Sequence, residues 1–265
     1  MPLISVWAQA PAREDTPPKT SISSENKLYR QSKIVFISSR DGNPEIHIMN
    51  ADGSEQKNLS YPAGGLVPVW SLDGSKIVFE RVASNRRHLE IYVMNAEGNE
   101  QKNLTNNPAY DQYPSWSPDG KKIAFASDRD GTNGIYVMNA EGQDIRRLTY
   151  SDIGSFVSSF PSWSPDGKRI AFRSYQDGNY EIYVMDADGS EQKRLTNSRP
   201  YNDHPFWSPD GKKIAFIAVR DGNATQLTSD ERREIYVMNA DGSEQKNLTT
   251  VVTQNQSYQV FRQWK

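Results

Sequence analysis

The chain has 265 residues, no cysteine, a formal net charge of -2 and a pI near 6.0. These values exclude disulfide staples and thiolate chemistry, and they supply no general electrostatic pull toward nucleic acid or an anionic membrane. Only 35% of residues are hydrophobic, yet aromatics reach 11%, which is core material that a disordered polar chain lacks. No apolar run approaches the ~20 residues of a membrane-spanning helix, so membrane insertion is not expected.

The chain opens with "MPLISVWAQAPAREDTPPKT". A short apolar stretch passes through Ala8-Gln9-Ala10 into a Pro-rich polar segment. That is how an exported protein looks around its signal cleavage site, and it points to a periplasmic or extracellular location. Residues 1–31 carry no copy of any later module and read as a disordered or export-related segment. Residues 32–265 read as one β domain.

From Ser32 the chain repeats itself. "PVWSLDGSKIVF" (Pro68–Phe79) returns as "PSWSPDGKKIAF" (Pro114–Phe125), "PSWSPDGKRIAF" (Pro161–Phe172) and "PFWSPDGKKIAF" (Pro205–Phe216). Its aspartate falls at Asp73, Asp119, Asp166 and Asp210, at intervals of 46, 47 and 44 residues. A second module, "IYVMNAEG" and its variants, begins at Ile46, Ile91, Ile135, Ile182 and Ile235. A third, of the "EQKNLT" type, begins at Glu55, Glu100, Asp144, Glu191 and Glu244. Five copies at a period near 45 match a four-stranded propeller blade.

Within a unit four strands are expected: A (Tyr113–Trp116), B (Lys121–Ser127), C (Gly134–Asn139) and D (Ile145–Thr149). Ser-Pro-Asp-Gly and the later Asp-Gly and Glu-Gly pairs are turn chemistry, so each unit reads as an antiparallel meander. Strand B places Ile123 and Phe125 on one face and Ala124 and Ala126 on the other, so both faces must be covered. Blades stacked around an axis do this, with Trp70, Trp116, Trp163, Trp207 and Trp264 as plugs between them. The chain enters at strand B (Ser32–Ser39) and ends on a strand A pattern, "YQVFRQWK". The expected architecture is therefore an all-β, five-bladed β-propeller closed by a 1+3 strand swap, in which the Trp264 segment completes the blade of Lys33–Ser60. The alternatives are a six-bladed ring or a fragment of a larger propeller.

The stretch "PSWSPDGKKIAFASDRDGTNGIYVMNAEG" resembles the repeat of the TolB-type β-propellers, over about residues 32–264. That family includes a periplasmic translocation protein, many exported bacterial proteins and the propeller domains of some prolyl-oligopeptidase-like peptidases. The resemblance implies a propeller domain and an exported setting. This chain departs from the translocation protein in lacking a preceding α/β domain and in counting five blades where that protein has six. It also lacks the G-x-S-x-G elbow of the peptidases.

Short A–B and C–D turns that barely vary read as scaffold. Length variation sits in the B–C and D–A connections (Arg81–Glu90, Tyr150–Phe160 and Arg220–Glu234), on the opposite face. Residues before each Trp lead to the channel mouth there. The candidate binding residues are Tyr110, Asp111, Gln112, Tyr113, Phe156, Tyr201, Asp203, His204, Tyr258 and Arg262. Aromatics mixed with such polar groups suit a protein or peptide partner bound by a monomeric, non-enzymatic scaffold. The alternative is a lectin or carbohydrate-active enzyme with Asp111 and Asp203 as a carboxylate pair. No catalytic residue, cofactor or metal is assigned. His47 reads as a packed strand residue, His88 as a loop residue, and His204 stands without a cluster.

Overall fold

A computed structural model describes residues 6–8 (backbone), 33–40, 42–83, 88–150, 158–198, 201–219 and 233–249. They form five antiparallel sheets of four strands, a five-bladed β-propeller without a helix among the described residues. Blade I holds β1 (Val6–Ala8), β2 (Lys33–Ser38), β3 (Glu45–Asn50) and β4 (Lys57–Asn58). Blade II holds β5 (Leu66–Trp70), β6 (Lys76–Val82), β7 (Leu89–Asn95) and β8 (Lys102–Asn103). Blade III holds β9 (Asp111–Trp116), β10 (Lys122–Ser127), β11 (Gly134–Asn139) and β12 (Arg146–Arg147). Blade IV holds β13 (Ser159–Trp163), β14 (Arg169–Ser174), β15 (Glu181–Asp186) and β16 (Lys193–Arg194). Blade V holds β17 (Tyr201–Trp207), β18 (Lys213–Val219), β19 (Arg233–Asn239) and β20 (Lys246–Asn247).

The turn sequences act as expected. In Ser117-Pro118-Asp119-Gly120, the Asp119 carboxylate accepts from the Ser117 hydroxyl at 2.6 Å and from Lys121 N at 3.1 Å, while Ser117 Oγ accepts from Lys122 N at 2.9 Å. Strand D is shorter than expected, two residues in every blade. A side chain does part of its work: Ile135 N donates to Thr149 Oγ1 at 2.9 Å, and Leu148 N returns to Ile135 O at 2.8 Å. Ser60, Thr105, Thr196 and Thr249 repeat the first bond with Ile46, Ile91, Ile182 and Ile235. The Leu-Ser and Leu-Thr pairs that end each unit are thus strand caps.

Blades pack through the tryptophans. Trp116 sits with Val78, Ile91, Val93 and Leu104 of blade II, and Trp163 and Trp207 repeat the arrangement one and two blades on. Trp70 packs on the blade I cluster. His47 is buried and stacked on Phe36 at 5.5 Å, as a packed strand residue should be. A second set of contacts staples the outer edges. Gln101 Nε2 crosses to Leu59 O at 3.0 Å, Lys102 Nζ crosses to Glu141 O at 3.0 Å, and Gly142 lies against Leu104.

One strand comes from an unexpected place. The fourth strand of blade I is β1, with Val6, Trp7 and Ala8 opposite Phe36, Val35 and Ile34. Residues 258–264, expected in that slot to make the 1+3 swap, lie outside the described residues. The physical reason β1 can serve is general: an unpaired edge of β2 exposes N–H and C=O groups, and an apolar β-prone triplet within reach satisfies them.

Two predictions follow from the turns and seams. Gly131 and Gly142 share a left-handed backbone (φ +85 and +83), but a Cβ at Gly131 meets open space, whereas at Gly142 it would lie 2.6 Å from Leu104 O. Gly131→Ala should cost about 1 kcal/mol, and Gly142→Ala should cost clearly more, read as denaturant midpoints at constant m. In the repeated Ser-x-Asp-Gly turns, the Ser hydroxyl holds Asp73, Asp119, Asp166 and Asp210 below the ordinary aspartate value. A carboxylate with a depressed folded pKa adds stability above its unfolded pKa and loses it as pH falls through the folded one. The melting temperature should therefore fall in that acid window, and replacing all four by Asn should flatten the fall.

Candidate functional site

The A strands of neighbouring blades adjoin one another (β9 with β5 and β13, β13 with β17), so A is the inner strand of each blade. Each of these four strands carries the same irregularity. In β9, Gln112 faces Ala126 and Ser115 faces Ala124, leaving Tyr113 and Pro114 opposite the single residue Phe125. The extra residue makes a β-bulge. Its first member takes a left-handed backbone in every copy: Val67 (φ 47), Tyr113 (56), Phe160 (53) and His204 (49). Each precedes a proline, a setting that disfavours the conformation and stores about 1–3 kcal/mol apiece.

This strain redirects three rings into one stack. Tyr113 and Phe160 lie 3.9 Å apart between centroids, and Phe160 and His204 lie 3.8 Å apart. Each pair contributes about 0.5–1.5 kcal/mol beyond its buried area. The ladder runs across blades III, IV and V and has charged flanks. At one end the Glu80 carboxylate accepts from Tyr113 N at 2.6 Å. At the other, Arg173 donates to Asp203 Oδ2 at 3.0 Å and to Ser159 Oγ at 3.0 Å, with its guanidinium over the rings of Phe160 and Tyr180. His204 N donates to Asp203 Oδ1 at 2.8 Å. The ring atom His204 Nδ1 is 3.1 Å from that same oxygen, within ion-pair range. Burial pushes the Asp203 carboxyl up, but His204 and Arg173 outweigh burial and hold it below the ordinary range.

The expected site residues divide accordingly. Tyr113, Asp203 and His204 come together at the ladder. Gln112 sits beside it, partly buried. Tyr110 is exposed, and its N–H donates to Asp128 Oδ1 at 2.8 Å. Asp111 is fully buried, with Oδ1 on Arg129 at 2.9 Å and Oδ2 on Asn107 at 2.7 Å. Each of the two aspartates faces its own arginine, so Asp111 offers no free carboxylate for acid/base work with Asp203. Tyr201 is buried beside Tyr180, which in turn meets Tyr175. Phe156, Tyr258 and Arg262 lie outside the described residues, as do most of the variable loops.

Sequence reasoning missed Phe160, Arg173 and Glu80. The signal was present: Phe160 is three residues before Trp163 and just before a proline, as Tyr113 and His204 are before Trp116 and Trp207. Arg173 and Glu80 each follow the repeated Phe of strand B, where blade III has Ala126. Arg173→Met keeps the apolar stem and removes the guanidinium that faces Asp203. The Asp203 carboxyl should then titrate at higher pH, followed by its carboxyl carbon in NMR. Because its stabilising share is lost below the folded pKa, acid unfolding should begin at higher pH than in the parent.

A family model described as the TolB beta propeller domain matches residues 66–159 and 154–260. A putative TolB from Agrobacterium tumefaciens superposes with a TM-score of 0.69 at 25% identity, covering 82% of this chain and 76% of that one. TolB from Acinetobacter baumannii gives 0.68 at 24%, covering 85% of this chain and 55% of that one. A puromycin-hydrolyzing peptidase of Mycobacterium tuberculosis gives 0.64 at 14%, covering 82% of this chain and 35% of its own length, a likeness of fold alone. The matched modules are those that build the strands, turns and seams described above, and the chain belongs to the TolB β-propeller domain family.

Proposed function

We propose that the protein is an exported, non-enzymatic binding module that takes a protein or peptide segment on the D–A/B–C face, over the Tyr113–Phe160–His204 ladder. One observation carries the reading. All four exposed tyrosines among the described residues, Tyr61, Tyr110, Tyr150 and Tyr175, lie in D–A or B–C connections. The opposite face contributes Leu72 in an A–B turn and Ile145 in a C–D turn, both aliphatic. Exposed tyrosine on a rigid frame is recognition chemistry, since a large ring adds contact area at small entropic cost. The charged flanks, Glu80 and the Arg173–Asp203 pair, add polar selectivity to an apolar platform. The Ala8-Gln9-Ala10 segment supports export.

The test is a displayed-peptide selection on the intact chain. Selected peptides should lose tenfold or more in affinity, about 1.4 kcal/mol or above, when Tyr110 and Tyr175 are changed to Ser. Leu72→Ser on the far face should leave affinity unchanged. Equal losses from the two variants would remove the reading.

A further inference from the structure

The two strongly basic residue types are sorted by face. All eleven described lysines adjoin A–B or C–D turns, whereas seven of the nine described arginines, all but Arg146 and Arg169, lie at the D–A/B–C end. The charge is the same, so the sorting is a matter of chemistry. A lysine ammonium is a strongly hydrated point charge, while a guanidinium is planar, stacks on rings and forks onto carboxylates. Binding surfaces are correspondingly rich in arginine and poor in lysine.

Within that set Arg129, Arg147, Arg173 and Arg194 each face a carboxylate. Arg40 and Arg81, on neighbouring blades I and II, are held by neutral acceptors and have no carboxylate in ion-pair range among the described residues. Arg40 Nε donates to Ser38 Oγ at 2.9 Å and Nη1 to Gln56 Oε1 at 3.1 Å. Arg81 Nε donates to Gly64 O at 3.1 Å and Nη2 to Gln101 Oε1 at 2.6 Å. Each guanidinium lies over rings of its own blade, Arg40 over Phe36 and Arg81 over Phe79 and Tyr92. Nearby carboxylates are engaged elsewhere. Glu90, opposite Arg81 in register, accepts from Asn103 at 2.7 Å, Glu45 accepts from Asn58, and Glu80 accepts from Tyr113 N. Burial holds the Arg81 guanidinium below the ordinary arginine value, and Tyr92 alone works against it. A half-buried cation ordinarily has an anion beside it. Here each guanidinium is fixed, with one terminal nitrogen left without a partner among the described residues.

We infer that the segment bound on this face is acidic, and that Arg40 and Arg81 are the cations that receive its carboxylates. The inference rests on the binding-face reading above and names the partner's chemistry. Each open Nη donates a charge-assisted hydrogen bond to a carboxylate oxygen. Because the guanidinium is already pinned, little rotamer freedom is lost when the anion arrives. The connection that anchors Arg81 through Gly64 also presents Tyr61, 74% exposed, as contact area for the same segment. Discrete carboxylates fit better than an anionic membrane surface, since exposed Asp130 and Asp177 interrupt the broad positive field that such a surface requires.

The test presents the full chain with three displayed-peptide pools that differ only at alternate positions: Glu and Asp, Gln and Asn, or Lys and Arg. Peptides should be recovered from the acidic pool. Arg40→Gln or Arg81→Gln should each weaken their binding about tenfold, and high salt should weaken it further. Lys121→Gln and Lys212→Gln remove the same charge from the other face and should leave binding unchanged. Arg40 is exposed, so its variant decides the matter even where Arg81→Gln does not fold. Recovery from the neutral or basic pool alone, acidic peptides indifferent to the arginine variants, or equal losses from the lysine variants overturns the inference and leaves the face reading standing. Arginine-dependent binding to phosphatidylglycerol vesicles in place of acidic peptides also overturns it. Recovery from no pool overturns both.

Discussion

Burial of both faces of every blade is the constraint on which this protein depends. A four-stranded sheet whose B and C strands read Ile-Ala-Phe and Ile-Tyr-Val-Met has no polar face to turn to water. It must be covered on both sides by copies of itself. The contact that meets this demand is asymmetric. A tryptophan and a glycine turn of one blade cover the strand C and strand D residues of the blade before it, as Trp116 and Gly98 cover blade II and Leu59 respectively. Because each seam is directional, blades can be added only in sequence, and the two ends of the array are the places where the rule has no partner in chain order.

The candidate site follows from the same repetition. One extra residue per A strand, placed before a proline, forces a left-handed backbone at the same depth in four blades. What differs is the side chain set on that fixed pedestal: Val67, Tyr113, Phe160 and His204. A repeated distortion thus becomes a position where identity can vary freely, since the backbone cost is common to all copies and the side chain is answerable only to its neighbours in the ladder. Arg173 and Asp203 illustrate this freedom. They meet across the blade IV–V seam at 3.0 Å, at positions that in blades III and IV are Ala126 and Ser159.

Much of this was legible in the chain. The period, the turn residues and the two-sided apolar strands identified a propeller and its blade count, because turn chemistry and strand patterning are local and were repeated often enough to be unmistakable. The Ser or Thr that ends each module of the "EQKNLT" type was visible but its use was not. That Thr149 replaces a ladder acceptor for Ile135 depends on where strand D stops, and hydroxyl and backbone compete there at similar energies. Asp111 and Asp203 looked equivalent in the sequence, each one or two residues past a tyrosine at the start of an A strand. The fold separates them, because a shift of one place along a strand sends one carboxylate to Arg129 in the blade interior and the other to Arg173 beside the ladder.

By itself, then, the sequence determined the fold class, the number of blades, the turns and the tryptophan plugs, since each is set by residues within a few positions of one another and then copied. Only the tertiary structure decided which side chains meet across a seam: the Tyr113–Phe160–His204 stack spans residues 47 and 44 apart in sequence, and its existence depends on blade rotation and a bulge that no single repeat displays. The same holds for the strand that pairs with β2, because an open edge accepts whichever β segment reaches it, and reach is a property of the folded ring.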